Sequence, residues 1–111
     1  MGVHNRAMQT IASSEFEREA LQAEGVVLVD FSAAWCGPCR RLEPELNAVA
    51  EELAGQVKVI KVDVDASPEI AERYGVQGIP QMNVLKGGQV VDRMVGLMPK
   101  AQIVTALKRH L

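Results

Sequence analysis

The chain predicts an α/β domain of element order βαβαβαββα, and three observations carry that prediction. Two short, mostly apolar runs, Val26 to Ser32 and Val57 to Asp63, have the length and β-branched content of buried strands. Between and around them, apolar residues recur at helical spacing. Finally, Gly87-Gly88 separates two strand-like runs, Gln81 to Lys86 and Gln89 to Val95, which is the pattern of a two-residue hairpin.

Taken in order, Met1 to Ala7 has no pattern and reads as a flexible N-terminus, leaving 8–111 as a single domain. Gln9 to Ala12 reads as a short first strand. Ser14 and Glu17 have capping-box spacing and open a helix that stops at Gly25. After the Val26 to Ser32 strand and a short polar break, Arg40 to Leu53 places Leu42, Leu46, Val49, Ala50 and Leu53 on one face of an amphipathic helix. Its first turn holds Cys36, and it ends near Gly55. The second apolar strand follows, then a short helix opened by Pro68 and closed before Gly75. Beyond the hairpin, Pro99 starts a terminal helix carrying Ile103, Val104, Leu107 and Leu111.

The only two cysteines lie three apart in Trp35-Cys36-Gly37-Pro38-Cys39, at the junction between the first long strand and its helix. Free backbone N–H groups and the helix dipole at such a junction stabilise a negative sulfur, so the attacking thiolate is more populated than in a free cysteine. Cys36 is therefore read as the nucleophile. Cys39, nearly one turn further in, is close enough to close a disulfide and is read as the buried resolving thiol. A structural zinc site is the first alternative, but it needs four ligands, and the remaining candidates, His4 and His110, lie at opposite ends of the chain. No bound metal is expected. A purely structural staple is the second alternative, and closing so short a loop removes only about 2 kcal/mol of chain entropy.

Asp30 interrupts an otherwise apolar strand. If buried, its carboxyl is pushed toward neutrality and becomes able to exchange a proton near neutral pH. If it sits at a strand end facing water, or in a salt bridge, it is an ordinary aspartate; both readings stand. Lys61 raises the same question in the next strand, as a partner for Asp30 or as an exposed edge residue.

Composition bounds the function. With 111 residues, 48% of them apolar, the chain is long enough for a self-sufficient core, and a formal charge of -2 without a basic cluster speaks against nucleic-acid or anionic-membrane binding. No run approaches the length of a membrane span, residues 1–25 lack the apolar core of a signal peptide, and Arg6 stands where a myristoylation motif needs Ser or Thr. A cytoplasmic location is expected, where an exposed cysteine pair is more often catalytic than structural.

Together, Val29-Asp30-Phe31, the Trp35 to Cys39 motif with Pro44, Lys61-Val62-Asp63-Val64-Asp65, Tyr74-Gly75-Val76, Gly78-Ile79-Pro80, Lys86-Gly87-Gly88 and Val95-Gly96 resemble the thioredoxin family over nearly the whole chain. Singly, Pro80, Gly78, Gly96 and Trp35 would be ordinary turn or core residues; their order makes the pattern specific. The resemblance implies a mixed sheet whose last two strands run antiparallel to the rest, with helices on both faces. It implies a thiol–disulfide oxidoreductase that reduces protein disulfides, in which Cys36 forms a mixed disulfide that Cys39 resolves. Asp30 would accept the Cys39 proton through water with Lys61 beside it, and Pro80 would be a cis-proline facing the cysteines. Trp35, Gly37, Pro38, Gly78, Ile79 and Gly96 would line the substrate groove, the Ile79 backbone pairing with an extended client segment.

It implies no bound cofactor beyond the Cys36–Cys39 disulfide, electrons from NADPH through a thioredoxin reductase, disulfide-containing client proteins, and a monomer. A variant dedicated to one client, or a non-catalytic binding module on the same fold, are the alternatives. The pattern departs at Ser32, Gln81, Asn83 and Leu85, and Arg40-Arg41 adds positive charge after Cys39. These changes bear on substrate preference and on the electrostatics around Asp30. Met82, Met94 and Met98 read as gap-filling core or groove residues.

Overall fold

The structure, a computed structural model, describes residues 8–111. Residues 1–7, expected to be a loose N-terminus, lie outside the described residues, as does His4. The elements are β1 (Gln9–Thr10), α1 (Ser13–Phe16), β2 (Val26–Ser32), α2 (Gly37–Glu52), β3 (Val57–Asp63), α3 (Pro68–Arg73), β4 (Gln81–Lys86), β5 (Gln89–Val95) and α4 (Lys100–Lys108). This is the expected order, and β2, β3, β4 and β5 have the bounds their sequence patterns suggest.

The strands form one five-stranded sheet in the order β1-β3-β2-β4-β5. β1, β3 and β2 are parallel, whereas β4 runs antiparallel to β2 and β5 antiparallel to β4, so the sheet is mixed as the resemblance implies. All seven residues of β2 are buried. A central strand covered on both faces has no solvated side, which is why its apolar run is nearly continuous rather than alternating.

Alternation along β2 divides the core into two layers. Val26 and Leu28 pack with Val57, Val59, Met82 and Val84 against Leu42, Leu46 and Val49 of α2 and Ile103 and Leu107 of α4. On the opposite face, Val27, Val29 and Phe31 pack with Ile60, Val62 and Leu85 against Phe16, Ile70 and Ala71. Met82 is fully buried, while Met94 and Met98 lean on the edge of the first layer as partial fillers. Asp30 follows Leu28 by two, so it belongs to the face covered by α2 and α4. Between β4 and β5 the positive φ of both Gly87 (60°) and Gly88 (79°) forms the primed turn that matches strand twist.

Three local expectations shift, the first being that α4 ends at Lys108, so Leu111 lies beyond the terminal helix and is exposed. β1 is confined to Gln9–Thr10 rather than reaching Ala12, although the Ile11 N–H still bonds Lys61 O at 3.0 Å before the chain turns. The first helix begins two residues before the Ser14–Glu17 pattern. Ala12 takes the cap position, and Glu15 Oε1 accepts its N–H at 2.8 Å, supplying the reciprocal half of a capping box where no hydroxyl supplies the other. Wider turns over Glu17–Leu21 continue it, with the Gln22 N–H reaching back five residues to Glu17 O at 2.9 Å. The helix thus ends at Leu21, short of Gly25.

Candidate active site

The site lies where β2 ends and α2 begins. Cys36 is the N-cap of α2 rather than a residue of its first turn, with extended backbone (φ -89°, ψ 111°). Its Sγ accepts the Cys39 N–H at 3.3 Å, so the sulfur itself caps a free donor of the 16-residue helix. Pro38 sits in the first turn, where a missing N–H removes no intrahelical bond. The two sulfurs are joined in a disulfide across a Cα–Cα distance of 5.2 Å. Both cysteines are shielded, Cys36 at 5% and Cys39 at 2% exposure, clustered with Ala33 and with Val64 and Ile79 against them.

Facing the disulfide is the loop ending in a cis Ile79–Pro80 bond. Cys36 Sγ lies 3.9 Å from the Ile79 carbonyl oxygen. The Gly96 N–H donates to Pro80 O at 2.8 Å, fastening the end of β5 to that loop, and Gly96 takes a left-handed φ of 97° to do so. Ile79 packs against the cysteines and Gly96 is tied to Pro80, while Gly37 and Pro38 lie between the two cysteines in sequence; Pro38 and Gly78 are exposed and Pro80 is buried. Trp35 projects at 68% exposure, and its indole N–H donates to Asp65 Oδ2 at 2.8 Å. The indole is thus held at the surface instead of entering the core.

On β2, Asp30 is 1% exposed, and its Oδ1 has no hydrogen-bond partner. Of the two readings left open by the sequence, the buried one describes it. Loss of solvation, opposed by the positive charge of Lys61 and assisted by the negative charge of Glu43, raises its pKa from 3.8 to about 7. Lys61 stands level with Asp30 across the β2–β3 pairing, but its Nζ bonds Glu43 Oε2 at 2.6 Å. It is therefore neither hydrogen-bonded to Asp30 nor an edge residue, since β1 covers β3 on the far side. A pocket of about 100 Å³ opens beside Cys39 and is lined by Ser32, Arg40, Glu43, Lys61 and Asp63 among others.

The departures from the family pattern have local accounts. Ser32 is buried and borders this pocket, and the Arg40 guanidinium folds back onto Ala34 O at 2.7 Å. Gln81 and Asn83 point to the same face of β4, where Gln81 Nε2 donates to Asn83 Oδ1 at 2.9 Å, while the buried Asn83 Nδ2 has no hydrogen-bond partner. Leu85 fills the second core layer.

Glu43 and Asp65 are the contributors that sequence reasoning missed. Glu43 follows Cys39 by four residues, one turn along the same helix face, and that spacing was the available signal. Asp65 meets Trp35 across 30 residues of chain, which no local pattern reveals. Among the described residues, no group of three or more His, Cys, Asp or Glu is arranged to hold a metal ion, and no helix is long and apolar enough to cross a membrane.

A family model described as Thioredoxin matches residues 7–109. Relatives include Thioredoxin 1 of Nostoc sp., 42% identical over 105 residues that cover 95% of this chain and 98% of the relative. Thioredoxin 1 of Synechococcus elongatus is 42% identical over 101 residues, covering 91% and 94%. Thioredoxin 2 of Chlorobaculum tepidum is 45% identical over 96 residues, covering 86% and 88%.

Proposed function

Because this chain belongs to the thioredoxin family and is a thiol–disulfide oxidoreductase with a redox-active Cys36–Cys39 pair, we propose that it reduces client proteins by attack of Cys36 and resolution by Cys39. The Cys36 thiolate, favoured by the Cys39 N–H and the α2 dipole, attacks one sulfur of the client disulfide. A Cys36–client mixed disulfide forms and the other client sulfur leaves as a thiolate. Cys39 then attacks Cys36, expelling the second client thiolate and closing the Cys36–Cys39 disulfide; two electrons have passed to the client.

The resolving step requires Cys39 to lose a proton in a site shielded from solvent. Asp30 is the acceptor in this reading, because its carboxyl titrates near neutrality and it is the register partner of Lys61, which borders the pocket beside Cys39. The pocket beside Cys39, bordered by Ser32, Glu43, Lys61 and Asp63, is large enough to admit the water through which the proton passes. Lys61 tunes the carboxyl from the side. Trp35, Gly37, Pro38, Gly78, Ile79, Pro80 and Gly96 form the client groove, with the Ile79 carbonyl offered as a strand-like acceptor beside the attacking sulfur.

Electrons to regenerate the dithiol come from NADPH through a thioredoxin reductase, the clients are disulfide-containing proteins, and the protein works as a cytoplasmic monomer. The observation that carries the reading is the geometry of the cysteines, with Cys36 at the helix cap facing the Ile79–Pro80 loop and Cys39 packed beneath it. Insulin-disulfide reduction with NADPH and a thioredoxin reductase tests the activity. Cys36→Ser should abolish it, and Cys39→Ser should accumulate client mixed disulfides on non-reducing gels. Complexes trapped by Cys36→Ser but not by Cys39→Ser would reverse the assignment.

A further inference from the structure

We infer that Glu43 is a positioning residue for the buried acid: by holding the Lys61 ammonium at 2.6 Å, it keeps that cation from pairing directly with the Asp30 carboxyl. The inference rests on the proposed role of Asp30 only for its functional consequence.

Asp30 and Lys61 are register partners on adjacent parallel strands, so their side chains leave the sheet side by side on the face covered by α2. A lysine so placed, with no other anion nearby, would be expected to close on the aspartate. Instead Asp30 Oδ1 has no partner, and the ammonium is engaged by a carboxylate on the overlying helix. Glu43 reaches it because it lies one turn beyond Cys39, on the rim of the pocket that Cys39 and Lys61 also border.

Other charged and titratable groups do not offer the same hold. Arg40, also from α2, is bonded to Ala34 O, and Asp63, from β3, accepts the N–H groups of Asp65 and Ala66. Cys39 is the remaining titratable neighbour from α2, and β4 presents Met82 opposite Asp30. As a stabilising contact the Glu43–Lys61 pair matters little, since the two side chains are 45% and 24% exposed and solvent screens such pairs. Its consequence is where it places a positive charge. A direct Lys61–Asp30 pair would hold the carboxylate ionised but make it a weaker base, whereas a Lys61 engaged by Glu43 lowers the carboxyl only from a distance, and desolvation still brings it to about 7.

The experiment is a titration of Asp30 by carbon NMR of protein labelled at the aspartate carboxyl carbons. It uses the oxidised and reduced forms of wild type, Glu43→Gln, Lys61→Met and the double variant. Glu43→Gln should lower the Asp30 midpoint by about one pH unit, the lower end of the effect of an opposite charge within pairing distance. Lys61→Met should raise the midpoint, and in the Lys61→Met background Glu43→Gln should move it much less. Glu43→Asp should restore part of the wild-type value. An unchanged or raised midpoint in Glu43→Gln overturns the inference, as does an equal fall with and without Lys61, which would assign the effect to Glu43's own charge.

Stopped-flow resolution of a Cys36 mixed disulfide, followed against pH, separates the two layers. A midpoint that falls with a matching shift of the acid limb supports both. A midpoint that falls without any change in the rate profile upholds Glu43 as the positioning residue and removes Asp30 from the proton transfer.

Discussion

Replacing Asp30 by asparagine should stabilise the protein by an amount that depends on pH in a calculable way. In the folded state the Asp30 carboxyl titrates at about 7, against an ordinary value of 3.8, because burial penalises its charged form. Between those two values the folded chain holds a proton that the unfolded chain has released, so stability falls as pH rises, by about 1.4 kcal/mol per pH unit. The penalty is absent below the unfolded value, accumulates across roughly three pH units, and is complete above the folded one, where it amounts to roughly 4 kcal/mol. Asparagine is neutral throughout and nearly isosteric, so it matches the protonated aspartate and escapes the penalty. Urea unfolding of the oxidised proteins at intervals from pH 4.5 to 8.5 measures the difference without interference from thiol titration. The two proteins should be close in stability at the acid end and differ by several kcal/mol at pH 8, with asparagine the more stable. A difference that does not vary with pH, or a variant less stable at pH 8, would refute the burial argument for Asp30.

The remaining expectations concern the indole and the core. Trp35 is the only tryptophan and adjoins Cys36, so its emission should change in intensity on reduction, in one two-electron transition matched by thiol counting and lost in Cys39→Ser. Flat emission during thiol conversion would place the indole away from the dithiol. Leu46→Ala should lower stability by about 2 to 5 kcal/mol, because Leu46 is fully buried between α2 and the sheet. A loss below about 1 kcal/mol on urea unfolding would mean that the layer beneath α2 can collapse into the space.

By itself the amino-acid sequence determined the strands, the dithiol and its place at the head of a helix, because each is written in local spacing. Val26 to Ser32 and Val57 to Asp63 are apolar runs of strand length, Gly87-Gly88 dictates its own turn, and two cysteines three apart at a strand-to-helix junction are close enough to pair. The first helix was less legible. Ser14 and Glu17 have the spacing of a cap, but pairing of Ile11 with Lys61 sets where the chain leaves the sheet, and that contact starts the helix two residues earlier.

The state of Asp30 was the clearest undecided question, since an aspartate in an apolar strand is either buried or at a wet end, and local sequence does not distinguish the two. Tertiary packing decided it by covering that face of β2 with α2. The same packing brought Glu43 onto Lys61 and Asp65 onto Trp35, contacts between residues 18 and 30 positions apart. Electrostatic partners of this kind depend on which elements come to lie over one another, and side-chain spacing along a single element carries no record of that.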